Sequence, residues 1–431
     1  MKYPFKGSDF GVNVLRLISG TTLAQAVPLL VLPLITRFYT PADFASLEQY
    51  MMLVEIFAVF ATLKYEFAIM QPTKRSDAIQ LVYLVLLLSL ISAAALTLLG
   101  FLFDDYLADL FNNPAMKTLA PLIGVGVLLY AVHLAFNYWF SRNKRYNLLA
   151  TTKVIETSTA ESTKLGFGFM RPTGLGLVFG FVTGRLAMAG FYLARFTADP
   201  EVKGTNWDQE AMKRLAKEYY RYPRYNLWGS LFGRASAWAH VYLFSIYFSP
   251  AVGFIGLARR LVFAPLNIIA SSFAQVFYQR VSEVKDPRLL LKIYVLSLRI
   301  LASIALSTLL IILLLPEGSI DYLLGPRWSG TQPFVEVLVW WFVINFVSTA
   351  LSFVNLHLQR QKETMWLDLV HLILVVAGIF TGIWLGFDAL DTLRIFVAVQ
   401  SIFYLSMIGL SRWFIHVAVR NFKAEQADEA I

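Results

Sequence analysis

Apolar runs long enough to cross a bilayer recur from one end of this chain to the other. A helix needs about 20 mostly apolar residues to span the hydrocarbon core. Segments of that kind fall at 12–37, 45–70, 78–102, 118–140, 148–169 and 175–196, then at 225–248, 252–279, 291–315, 334–357, 366–386 and 392–416. Lipid leaves no backbone polar group a partner from solvent, so only helices or closed barrels can cross it. The runs are continuous and lack period-2 alternation, which excludes a transmembrane β-barrel. The fold class is therefore all-α, a polytopic membrane protein of about 12 helices.

Charge refines this reading. Only 15% of residues are charged, yet the formal net charge is +9. Nucleic acid need not be invoked, because the basic residues sit in one set of loops. That set holds Lys74 and Arg75; Arg142, Lys144 and Arg145; Lys203 to Arg224; Arg280 to Lys292; Arg360 and Lys362; Arg420 and Lys423. The other set holds only Lys117, Arg171 and Arg327, with Asp104, Asp105 and Asp109 beside them. The positive-inside rule then puts both termini in the cytoplasm. The first apolar segment lacks a cleavage pattern and reads as a retained helix. With no cysteine, neither a disulfide framework nor a thiolate metal site is available.

The longest basic loop divides the chain. Within it, DQEAMKRLAKEYYRY spaces Met212, Leu215, Ala216, Tyr219 and Tyr220 helically between lysines and arginines. That pattern predicts an amphipathic helix on the membrane surface, with a plain solvated connector as the alternative. The expected organisation is a six-helix lobe over 1–197, a cytoplasmic linker over 198–224, a second six-helix lobe over 225–417 and a polar, disordered tail over 418–431. Gly20-Thr21 and Pro41-Ala42 have equally spaced counterparts in Gly229-Ser230 and Pro250-Ala251. Such parallel repeats are common in transporters.

Function is sought where polar residues lie at membrane depth, since each charge there costs roughly 2.5–3.5 kcal/mol on insertion scales. Arg234 and His240 fall inside the seventh segment, and Arg259 and Arg260 inside the eighth. Guanidinium groups bind phosphate through paired donors, so this basic group favours an anionic ligand such as a diphosphate. Pairing with acids or carbonyls is the structural alternative. Lys64 and Glu66 close the second segment. Snorkelling is expected of Lys64, and a Lys64–Glu66 pair is not, because i,i+2 residues diverge on a helix. Glu55 is deeper and more informative. In the fifth segment Lys153, Glu156, Thr157, Glu161 and Lys164 form one polar stripe. It is either an ion-pair ladder or a set of charges that couples an ion or contacts substrate. Asp368 and His371 allow a proton relay or an interfacial hydrogen bond. Pro28 and Pro33 mark a kink, static or moving. Gly176, Gly180 and Gly184 read as a close-packing face. No P-loop, HExxH, GxSxG or large soluble loop is present, which argues against an enzyme.

Three stretches carry a family resemblance. LRLISGTTLAQAVPLLVLPLITRFYTPADFA (Leu15–Ala45) resembles the first helix and outer turn of bacterial polysaccharide-biosynthesis flippases. LKYEFAIMQPTKRSDA (Leu63–Ala78) resembles the end of their second helix, and LARRLVFAPLNIIASSFAQVFYQRVSE (Leu257–Glu283) their eighth. The resemblance implies the multidrug/oligosaccharidyl-lipid/polysaccharide (MOP) exporter superfamily, with two six-helix lobes around a central cavity and alternating access. It makes Gln25, Lys64, Glu66, Arg234, Arg259 and Arg260 candidate cavity residues. It implies an O-antigen-type flippase in the bacterial inner membrane that carries an undecaprenyl-diphosphate-linked oligosaccharide. No cofactor or metal is expected, and H+ or Na+ coupling stays open. The expected partners are the lipid-linked oligosaccharide, the bilayer, and a polymerase with other assembly proteins, around a monomeric flippase. A multidrug exporter of the same superfamily and a membrane polysaccharide polymerase or ligase are the alternatives.

Overall fold

The structure is a computed structural model that describes residues 27–428 save Glu283, Lys285 and Gln359. The described residues are mostly helical, with no strand among them. Twelve helices fall where the apolar runs predict them. They are α1 (Val27–Phe38), α2 (Pro41–Thr62), α3 (Arg75–Leu102), α4 (Leu122–Arg142), α5 (Tyr146–Met170) and α6 (Gly174–Thr197). Then follow α7 (Leu227–Tyr247), α8 (Ser249–Ala258, continued through a π turn at Arg259–Phe263 into Ala264–Ser282), α9 (Pro287–Leu313), α10 (Thr331–Leu351), α11 (Gln361–Trp384) and α12 (Ala389–Asp428). Among the described residues nine helices are long and apolar enough to cross a membrane. Helices α5 and α7 fall outside that group because polar residues interrupt them, and α1 is described only from Val27.

By contact the chain divides into two compact units. One comprises Val27–Gly256 and Leu324–Trp328; the other takes in Leu257–Leu323 and the residues from Ser329 onward. In the first, α2 packs against α3, α4, α6 and α7, and α5 lies along α6. The glycine face of α6 is what brings α5 close. A Cβ on Gly184 would stand 2.6 Å from the Glu156 carbonyl oxygen and 2.7 Å from the Ala160 Cβ, so the helices approach backbone to backbone. In the second unit α10 packs against α9, α12 and the second part of α8, while α11 packs on α12.

Three local expectations change. Helix α2 stops at Thr62 and does not run to residue 70: Leu63 (φ 48°) and Lys64 (φ 63°) are both left-handed, and a 3-10 turn at Tyr65–Met70 follows. The polar tail is helical to Asp428, tied back where Arg288 donates to Gln426 at 2.5 Å and lies over the Phe422 ring. The linker does form a helix, Gln209–Glu218, but its apolar face is covered by protein. Met212 and Leu215 are buried in a cluster with Tyr65, Ile79, Trp139 and Phe196, each worth roughly 1.5–3 kcal/mol when fully buried. Gln80 fixes the approach to this helix, its amide donating to Asn206 O at 2.7 Å and accepting from Asp208 N at 3.2 Å.

Basic loops converge at this end of the first unit. Buried Asp199 accepts from Arg75 at 2.6 Å and from Arg145 at 3.2 Å. Arg142 donates to the carbonyls of Ile69 and Pro72, and Arg214 reaches Asp77 at 2.7 Å.

Candidate functional site

Helical spacing builds a polar cavity within the first unit. Residues four apart share a helix face, so α2 presents Glu55 with Ala58 and Val59, α4 presents Tyr130, Leu134 and Tyr138, and α7 presents Arg234. The turn after α2 adds Lys64, Glu66 and Phe67. The cavity volume is about 130 Å³, room for several waters or for one compact anionic group.

Its polar groups are engaged with one another. Arg234 donates through Nη1 to Glu55 Oε2 at 2.6 Å and through Nη2 to the Tyr130 hydroxyl at 3.1 Å. Trp238, one turn further along α7, donates its indole N–H to the same Glu55 oxygen at 3.0 Å. The Arg234 side chain is nonetheless 41% exposed, against 14% for Glu55. Arg234 is therefore a shared cation with an open edge. The structural alternative, a guanidinium held by an acid, is what this geometry shows.

Lys64 is also not as expected. It does not snorkel: its side chain is 10% exposed and its Nζ stands 3.3 Å from Glu66 Oε1, which is 1% exposed. The left-handed backbone at Leu63 and Lys64 explains the pair. It takes the chain off the helix, so the i,i+2 divergence no longer applies. Left-handed non-glycine residues cost on the order of 1–3 kcal/mol each and persist where packing over-determines them. Here Tyr65 anchors the turn through its hydroxyl to Ala216 O at 3.0 Å, and the Lys64 ammonium lies 5.3 Å from the Phe67 ring centroid.

A second cluster lies along α5. Lys153 pairs with Glu156 at 2.8 Å and Lys164 with Glu161 at 2.6 Å. Both pairs are i,i+3, and each joins neighbours on one helix. Glu156 also faces Arg185 of α6 at 3.7 Å, and the Arg185 guanidinium lies over the Tyr130 ring at 4.7 Å. The two clusters thus meet across one tyrosine: Glu55, Arg234, Tyr130, Arg185, Glu156 and Lys153 are consecutive contacts. Sequence reasoning misses Arg185, although a charge inside an apolar run is the same signal that marks Arg234. It also misses Tyr130 and Trp238, which carry no signal in a chain this rich in aromatic residues.

The remaining candidates are dispersed. His240 is fully buried on α7 and does not line the cavity. Arg259 and Arg260 open the π turn of α8, half-buried, and belong to the second unit. In that unit His371 bonds Gln400 at 2.9 Å and stacks on Phe403 at 3.8 Å. Gln25 lies outside the described residues. No cluster of His, Cys, Asp or Glu suited to a metal occurs among the described residues.

The fold defines a class. It is a multi-pass helical membrane fold, shared with the solved structures that follow. The chain is similar to "Lipid II flippase MurJ, inward closed conformation", with TM-score 0.70 and 12% identity over 94% of this chain and 90% of that one. It is similar to an inward-facing multidrug resistance MATE family transporter of the MOP superfamily, with TM-score 0.65 and 12% identity over 92% and 96%. It is also similar to a MOP superfamily transporter from Pyrococcus furiosus described as having a binding pocket of reverse polarity, with TM-score 0.56 and 12% identity over 94% and 95%. No curated protein matches the chain significantly in sequence. Residues 34–333 match the family model described as polysaccharide biosynthesis protein, and the chain belongs to that family.

Proposed function

We propose that this protein is a flippase for a polyprenyl-diphosphate-linked oligosaccharide of the O-antigen type. It works by alternating access in the bacterial inner membrane, with both termini cytoplasmic. The observation that carries the reading is the pairing of Arg234 and Lys64 with an aromatic wall of Tyr130, Tyr138 and Phe67 in one cavity. Guanidinium and ammonium groups suit phosphate, and aromatic faces suit sugar rings. The family supports the polysaccharide part of the reading. The head group passes through protein while the polyprenyl tail stays in lipid, and no bond is made or broken. Arg259 and Arg260 offer the same anion-binding chemistry in the second unit. Glu156 and Glu161, each held by a lysine, tune the charge or couple H+ or Na+. One chain suffices as the working unit, beside a polymerase that consumes the product.

A multidrug exporter of cations calls for acids in excess, whereas two bases, Lys64 and Arg234, stand here against two acids, Glu55 and Glu66. A polymerase or ligase calls for a large loop to hold its acceptor, and the longest connection between the described spanning helices is the linker 198–226, whose helix Gln209–Glu218 packs on its own unit.

Complementation tests the proposal. In cells that lack the native gene, the wild-type chain restores surface polysaccharide, whereas Arg234→Ala gives none although the protein is present in the membrane at normal level. Normal polysaccharide with Arg234→Ala removes this residue from the site.

A further inference from the structure

The charge balance of the cavity points to a role for Glu55 that transport alone does not require. Arg234 is the most exposed cation there, and a singly charged lipid phosphodiester is the anion that a membrane supplies in excess. An open guanidinium would be occupied by it. Glu55 already sits on Arg234, at 2.6 Å.

We infer that Glu55 is a specificity residue: an internal counter-ion that occupies the ligand's place on Arg234 and yields it only to an anion carrying more than one charge. This rests on the reading that Arg234 holds the anionic head group. A carboxylate fixed on a neighbouring helix has no association entropy to lose, whereas a free ligand does. A single negative charge that replaces it gains nothing in Coulomb terms. A diphosphate brings further charge, and Lys64 lines the same cavity to receive it.

The hydrogen bonds are arranged for such an exchange. Glu55 Oε2 accepts from both Arg234 and Trp238, so the indole still holds the carboxylate after the guanidinium has left. Arg234 keeps its Nη2 on the Tyr130 hydroxyl, so the released Nη1 stays aimed at the cavity. Only one bond has to break, and a half-buried acid is not left without a donor, the situation that makes breaking a buried pair costly.

The test uses the full-length protein in detergent, with inorganic pyrophosphate and short-chain phosphatidylglycerol as probes, and compares wild type, Glu55→Gln, Trp238→Phe and Arg234→Ala. In Glu55→Gln, phosphatidylglycerol binding is expected to rise about tenfold or more, given the coupling measured for close charge pairs. Pyrophosphate is expected to gain less, so the selectivity ratio falls. Trp238→Phe, which loosens the carboxylate without removing it, should shift the ratio in the same direction by a smaller factor. An unchanged ratio in both variants overturns the inference. Arg234→Ala separates the two readings: loss of pyrophosphate binding upholds the Arg234 reading whatever Glu55 does, and retained pyrophosphate binding sinks both.

Discussion

Single residues carry the cavity, and their legibility in the sequence follows from how much each one costs. Arg234 stands out because a charge in an apolar run needs a reason. Glu55 stands out less, and its role as the partner of Arg234 depends on packing between distant helices, which no local pattern encodes. Lys64 and Glu66 mislead for a definite reason. The i,i+2 rule assumes a helix, and the left-handed residues that end it are leucine and lysine, where glycine or asparagine usually signals such a turn. The pair they form is testable. Lys64→Ala leaves Glu66 buried with no counter-ion, at a cost of about 3 kcal/mol. The thermal midpoint of the solubilised protein should fall clearly, and Lys64→Ala with Glu66→Gln should lie nearer to wild type than Lys64→Ala alone. A double variant no better than the single one would show that the lysine stabilises through something other than its charge.

Among elements, hydropathy locates the helices well because spanning length is a hard constraint. Ends are harder: α2 stops early at a turn with no composition signal, and α12 runs on because Arg288 holds the polar end it bonds. The linker helix is legible as amphipathic, but what covers its apolar face is not, since lipid and protein select the same residues. The α5–α6 pair is legible from its glycines. Gly184→Ala should cost about 1–3 kcal/mol by overpacking, because the added methyl meets the Glu156 carbonyl and Ala160. Gly190→Ala, on the same helix with no atom within 4 Å of the added methyl, should be neutral or slightly stabilising. Unfolding midpoints of the two variants compare them directly, and equal midpoints would remove close backbone packing as the purpose of these glycines.

At the scale of the whole molecule, composition and spacing lead to a polytopic helical membrane protein, and the fold agrees, while the family is one of polysaccharide biosynthesis proteins. The chemistry of the cargo is less legible, because it depends on a few side chains whose charges are balanced by neighbours. Reconstitution with a defined cargo tests it most directly. Liposomes containing the purified protein are loaded with a polyprenyl-diphosphate-linked oligosaccharide, and its arrival in the opposite leaflet is followed by a lectin or a glycosidase that cannot cross the membrane. The wild-type chain should move the cargo, Arg234→Ala should slow it about tenfold or more, as expected for loss of a charge-assisted phosphate contact, and the monophosphate analogue should move poorly. Equal movement by wild type and Arg234→Ala, or no preference for the diphosphate over the monophosphate, would contradict a cationic hold on a diphosphate.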